Sequence, residues 1–268
     1  MLHIGIDPNL FSLGSFTLGW HGVMTALAAA VGTSVLFYLT RKAGFSLERG
    51  IYSLAIWAII CAVAGARLLH VLDHWEFYRQ NLLEIARVWD GGLALYGAIL
   101  GGSAGGAIYA WISKFPAGEI LNLGAFGAIL AQAIGRVGCL INGDIFGKPT
   151  SLPWGLVYTN PNSAPFTRLN EARHPCPLYE IAWDLLVLGI LIIFRKRFTK
   201  DWTLFLLYIS LYSLGRFFIS FTRSPLNEPA VLGSLHVAQI VALLVLAVVV
   251  PLLIYLQTKP ATGVSEET

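Results

Sequence analysis

The sequence predicts an all-α, polytopic membrane protein of about seven transmembrane helices, folded as a single domain over residues 1–268, and three observations carry that prediction. The chain is 56% hydrophobic and only 12% charged, with a mean hydropathy of +0.68, a balance foreign to ordinary soluble domains. Seven apolar runs are each long enough to cross a hydrocarbon core of about 30 Å. The basic residues are shared unequally between alternate loops, as in a multi-pass protein of fixed orientation.

The expected spans lie near 16–40, 51–74, 92–113, 118–138, 178–194, 202–221 and 233–256. With the N-terminus outside and the C-terminus cytoplasmic, the inside segments hold nine basic residues: Arg41, Lys42, Arg49, Lys114, Arg195, Lys196, Arg197, Lys200 and Lys259. Six fall outside (Arg79, Arg87, Lys148, Arg168, Arg173 and Arg223), three of them in one long loop where they weigh little. A net charge of +3 and a pI near 8.8 therefore reflect loop topology. No basic patch interleaved with exposed aromatics is visible, which excludes a nucleic-acid partner. The three cysteines have no metal-like spacing, and no disulfide framework is expected.

In chain order, residues 1–16 carry Asp7 and no Lys or Arg, so they lack the basic region of a cleavable signal peptide and the first span is expected to be retained. Asp7-Pro8 and the stretch from Phe11 to Phe16 should form a short outside arm, with Trp20 and His21 about one turn inside the first span. The second span ends in Arg67, His70 and His74, at helical spacing on one face; snorkelling to the interface is as good a reading as function. Trp89-Asp90-Gly91-Gly92 and the following Gly97, Gly101 and Gly102 permit close backbone approach, a common packing device in membrane helices. With no strand before them they are no dinucleotide fingerprint.

The fourth span ends in Gly135-Arg136-Val137-Gly138-Cys139-Leu140-Ile141-Asn142-Gly143-Asp144-Ile145-Phe146-Gly147, which puts an arginine, an amide and a carboxylate at the end of an apolar run. Ionisable groups at membrane depth face a partner, a wet cavity or a ligand, so this stretch is the first candidate for a site. The loop at about 142–177, rich in Pro, Asn and Thr, reads as an irregular extracytoplasmic cap. Glu180, entering the fifth span, is a second expensive carboxylate, able to pair with an arginine. Arg216 in the sixth span is a second guanidinium at depth, and the last span opens with His236 and Gln239.

Five separated signatures now occur in one order: Ile6-Asp7-Pro8 with Phe11; the segment from Trp20 to Met24; Trp89-Asp90-Gly91-Gly92 with Gly97; the Gly135-to-Gly147 stretch; and His174-Pro175 with Leu178-Tyr179-Glu180, together with Gly215-Arg216-Phe217-Phe218. In these the chain resembles the prolipoprotein diacylglyceryl transferases. The resemblance implies a multi-pass enzyme of the bacterial inner membrane that uses no metal or organic cofactor. Such an enzyme moves a diacylglyceryl group from phosphatidylglycerol to the lipobox cysteine in a prolipoprotein signal peptide, releasing glycerol phosphate.

That chemistry needs cations for the departing phosphate and an acceptor for the thiol proton. Arg136 and Arg216 suit the first role, because guanidinium is permanently charged and chelates phosphate in bidentate fashion. Asn142 and Asp144 are candidates to orient lipid hydroxyls or one of the arginines, with Gly97 and Gly143 completing the expected phospholipid site. The chain also departs from the family pattern: His21 stands for Tyr, Tyr96 for His, Cys139 for Asn, Asp144 for Glu and Ser220 for Glu. We expect His21 and Tyr96 to have exchanged places in one cavity, with His21 as proton acceptor and Tyr96 as its hydrogen-bond partner, since imidazole titrates nearer neutrality than phenol. Cys139 reads as a small apolar packing residue. The departures keep a second reading open, a diverged paralogue that binds phospholipid without this activity or uses another acceptor. A transporter is disfavoured, because no inverted repeat or paired broken helices are visible.

Overall fold

The computed structural model describes residues 1–13, 16–44, 48–80, 82–86, 95–163, 170–226, 230–232 and 235–258. The chain opens with β1 (Leu2–Ile4) and a hairpin of β2 (Asn9–Leu13) and β3 (Phe16–Gly19), then runs through α1 (Trp20–Lys42), α2 (Glu48–Asp73), the single turn α3 (Trp75–Tyr78) and a 3₁₀ turn at Leu82–Ala86. There follow α4 (Leu95–Ile112), α5 (Ala117–Asn142), β4 (Leu156–Tyr158), α6 (Cys176–Phe194), α7 (Thr203–Ser220), β5 (Ala230–Leu232), β6 (Leu235–His236) and α8 (Val237–Thr258). A helix thus occupies each of the seven expected spans. Among the described residues six of them, α1, α2 and α5 to α8, are long and apolar enough to cross a membrane. The remaining one, α4, is 18 residues long and rich in glycine. Leu186 and Ile193 on α6, and Leu244, Val248 and Ile254 on α8, expose large apolar side chains that a lipid environment accepts without penalty.

Three of the sequence expectations are corrected here. The arm before the first span is an antiparallel hairpin, whose return places Trp20 N–H on the Pro8 carbonyl at 2.9 Å. It uses up the start of the expected span, so Trp20 and His21 are the first two residues of α1 rather than one turn inside it. The loop after α5 is less irregular than its composition suggests: β4 pairs in parallel with β1, and Arg173 forms bridges with Pro149 and Leu156.

The helices pack as two compact units, one of Met1–Leu39 with Gly118–Thr268 and one of Thr40–Ala117. In the larger, Ala125, Phe126 and Ile129 of α5, Val187 and Leu191 of α6, and Leu204 and Tyr208 of α7 form the core. Polar links brace it: Asn122 takes the Phe205 N–H at 3.0 Å and donates to the Lys200 carbonyl at 2.9 Å, and Lys200 Nζ donates to the Leu256 and Gln257 carbonyls at the end of α8. A cation there also complements the negative end of the helix dipole.

In the smaller unit α2 lies against α4 with backbones nearly touching. A Cβ on Gly97 would fall on the Gly65 carbonyl and within 2.8 Å of Leu69 Cβ, so only glycine allows this approach. Arg67 does not snorkel. It is buried, donating to the Ile85 carbonyl at 2.9 Å and to that of Glu84, with its guanidinium over the Tyr78 ring. It thereby ties the end of α2 to the 3₁₀ turn, while His70 and His74 stack beside it with centroids 4.3 Å apart.

Two substitutions in α4 separate close approach from helix propensity. Gly97→Ala is expected to destabilise by about 1–3 kcal/mol through overpacking. Gly106→Ala, whose methyl meets only ordinary contacts at 3.9 and 4.0 Å, is expected to be neutral or stabilising by up to about 1 kcal/mol. Thermal unfolding of the detergent-solubilised protein measures both.

Candidate active site

Three arginines gather around one carboxylate in the larger unit. Pro177 sits in the first turn of α6, where a missing N–H costs nothing, and this start places Glu180 one turn inside the helix. Arg136 arrives from the last turns of α5, Arg216 from the second half of α7, and Arg223 from just beyond α7. Glu180 Oε2 is ion-paired with Arg136 Nε at 2.6 Å, and Oε1 accepts from Arg216 Nη1 at 3.0 Å and also from Arg223 Nη2. The Glu180 side chain is only 5% exposed and that of Arg223 only 8%, whereas Arg136 and Arg216 retain 23% and 18%. The two arginines singled out from the sequence are therefore the two of the three that stay partly exposed.

Three guanidiniums against one carboxylate leave this group two charges positive. Asp184, one turn further along α6 on the face of Glu180, brings a second carboxylate and is buried. Even counted as ionised it leaves the sum at plus one. Glu180, Trp183, Asp184, Tyr212, Arg216 and Ile219 line a niche with room for about one water molecule.

Beside the arginine cluster lies a second group. Cys139 sits on α5 next to the Arg136 guanidinium. A side chain at Gly138 would crowd α1, meeting His21 Cα at 3.1 Å and Met24 Cβ at 3.0 Å, so this glycine lets the first turn of α1 settle closely on the last turns of α5. As a result His21 Nδ1 stands 3.8 Å from Cys139 Sγ and 3.8 Å from Asp144 Oδ2. Asn142 is the last residue of α5, and Gly143, at φ +73°, ends the helix in the left-handed region with its N–H on the Cys139 carbonyl at 2.9 Å. That turn delivers Asp144 to the cluster. Tyr158 of β4 donates to the Leu140 carbonyl at 2.8 Å; its burial and then the Asp144 charge push the phenol up, so it stays a neutral donor.

The loop beyond Asp144 fixes the far side. Lys148 N–H donates to the Thr222 carbonyl at 2.8 Å, Ser224 N–H to the Phe146 carbonyl at 3.2 Å, and Gly147 pairs with Arg223. Arg223 is thus held by backbone bridges as well as by Glu180. Tyr179 takes a hydrogen bond from Trp154 Nε1 at 3.0 Å and lies 3.3 Å from His174 Nδ1, fastening the loop to the start of α6.

Of the residues expected at the site, His21, Arg136, Asn142, Gly143, Asp144 and Arg216 lie within this one unit. Gly97 belongs to the smaller unit, where it packs against Gly65. The Tyr96 side chain and the Trp89-Asp90-Gly91-Gly92 segment lie outside the described residues, so the expected exchange of His21 and Tyr96 within one cavity stays an expectation. Ser220 is fully buried. Sequence reasoning missed Asp184 and gave Arg223 no role. The signal for the first was present, since two carboxylates four residues apart in an apolar span must share a helix face. Arg223 gave none, because an arginine just past a span reads as an ordinary loop cation.

A family model for prolipoprotein diacylglyceryl transferase matches residues 8–255. A phosphatidylglycerol–prolipoprotein diacylglyceryl transferase of Acaryochloris marina is 40% identical over 240 residues, covering 88% of this chain and 86% of that protein. The protein of that name from Dehalococcoides mccartyi strain BAV1 is 40% identical over 257 residues, 95% of each chain. The one from Clostridioides difficile strain 630 is 32% identical over 262 residues, covering 98% of this chain and all of its own. A match over nearly the whole length, reaching every element that builds the arginine and histidine clusters, means that the chain belongs to the prolipoprotein diacylglyceryl transferase family.

Proposed function

We propose that this chain is a multi-pass transferase of the bacterial inner membrane that moves the diacylglyceryl group of phosphatidylglycerol to the lipobox cysteine of a prolipoprotein, releasing glycerol phosphate. The observation that carries the reading is the half-open, net-positive cluster of Arg136, Arg216 and Arg223 around Glu180, in a chain of this family. In the reaction the substrate thiol sulfur attacks the glyceryl carbon bearing the phosphate ester. A C–S bond forms, the C–O bond breaks, and the electron pair leaves on the phosphate. Arg136 and Arg216 receive that phosphate as its charge grows, in a setting where fixed dipoles and charges act more strongly than in water. His21 takes the thiol proton, with Asp144 holding the imidazole, because the thiolate is the nucleophile. Glu180 is a positioning residue: it spaces the three guanidiniums that would otherwise repel one another. Asn142 is proposed to meet lipid hydroxyls.

The diverged-paralogue reading is favoured by the loss of the two family glutamates, at Asp144 and Ser220, and of the family histidine, at Tyr96, and one assay separates the two. In vesicles of phosphatidylglycerol, glycerol phosphate should be released only when a lipobox-cysteine peptide is added; release that is absent despite folded protein selects the paralogue. Arg136→Ala or Arg216→Ala should lower kcat by about 10²–10³-fold, and His21→Ala by about 10²-fold or more. Glu180→Gln should cost about 3–5 kcal/mol of stability as well as activity, since it leaves buried guanidiniums without their counter-charge; thermal unfolding in detergent reads the first effect and the same assay the second.

A further inference from the structure

The segment between α2 and α4 takes no part in the proposed reaction, and its side chains divide between those tucked against α2 and those left exposed. Tyr78 of α3 is buried, with its ring under the Arg67 guanidinium and edge-on to His70 at 5.9 Å. Trp75 is 49% exposed, Phe77 55%, Leu82 64% and Leu83 86%. Four large apolar side chains on two short turns exceed the scattered exposure of an ordinary polar loop. They also continue a surface suited to lipid, since Leu68 and Leu72, at the end of the apolar stretch Tyr52–Leu72 of α2, are exposed as well.

We infer that α3 and the 3₁₀ turn lie in the headgroup–acyl boundary of the bilayer at this end of α2, with Trp75, Phe77, Leu82 and Leu83 set into the lipid. The chain leaves little freedom for another depth, because α2 ends at Asp73 and α3 begins at Trp75. Aromatic side chains, tryptophan above all, suit that boundary, where an apolar ring meets lipid and a polar edge meets water. Glu76 and Arg79 neutralise each other as an ion pair and stay exposed, which keeps charge at the water side. A segment bordering hydrocarbon must satisfy its backbone without water. The carbonyls of Glu84 and Ile85 do so through the buried Arg67 guanidinium, whose Nε donates to the Ile85 carbonyl at 2.9 Å. The same contact pins the turn against α2, so the apolar side chains are presented as a set. A protein is the poorer occupant: turns of four and five residues offer a peptide neither a groove nor a sheet edge, and a bilayer needs neither. The inference stands apart from the transfer reaction.

Fluorescence at single positions tests it. A bimane label is placed on Leu83→Cys and, as the water-side control, on Glu76→Cys, in full-length protein reconstituted into phosphatidylglycerol vesicles. The unaltered chain, whose three cysteines are buried or half-buried, gives the labelling background. Phosphatidylglycerol brominated on its acyl chains near the glycerol should remove at least about half of the emission at Leu83 and far less at Glu76, and aqueous iodide should do the reverse. Leu82→Cys should behave as Leu83→Cys does, which keeps the test open should the first variant fail to fold. Iodide reaching the Leu82 and Leu83 labels as freely as the Glu76 label, with no quenching by brominated lipid, overturns the inference. So does shielding of the Leu83 label that appears only when a lipobox-cysteine peptide is added, which would make this face a peptide-docking surface.

Discussion

The arrangement of α5, α6 and α7 depends on one buried carboxylate. Three guanidiniums near a low-dielectric region repel one another, and each is expensive to take out of water. Glu180 offsets that expense by pairing with all three at once: Oε2 lies against Arg136 as an ion pair, and Oε1 accepts from Arg216 and Arg223. Its position at the amino end of α6 adds the favourable pole of the helix dipole. The apolar core of Ala125, Ile129, Val187, Leu191 and Tyr208 brings the three helices together but does not decide their rotation. The ion pairs do, since a turned helix would bury a charge without a partner.

This constraint also explains which features were legible in the sequence. Apolar length and the scarcity of charge announce a membrane helix without reference to anything else in the chain, so a helix stands at each of the seven expected spans. Arg136 and Arg216 were likewise legible, because a guanidinium at depth must have a purpose, and the structure joins them through Glu180 across 36 and 44 residues of chain. The hairpin before α1 was not. Strands of three to five residues carry too few positions for an alternating pattern to emerge. Arg223 was hidden for another reason: its burial comes from backbone bridges to the Gly147 region, a long-range contact with no local mark.

His21, Cys139 and Asp144 meet in space although the first is 118 residues from the second, and Cys139 joins them to the arginine cluster through Arg136. Substitutions that touch one another are energetically coupled, so they are better understood together than singly.

The pairing of β1 with β4 has a consequence for how the protein is made. Ile4 and Thr159 are joined across 155 residues, and five helices, one of them the single turn α3, lie between their strands. At a synthesis rate of about 5–20 residues per second, the first strand waits roughly 8–30 s before its partner exists. Through that interval β1 has no partner, and the loop after α5 can close on it only once α5 has been made. Closure of this small sheet is therefore a late event in biogenesis, and it is the step that sets Tyr158 over Leu140 at the end of the helix carrying Arg136.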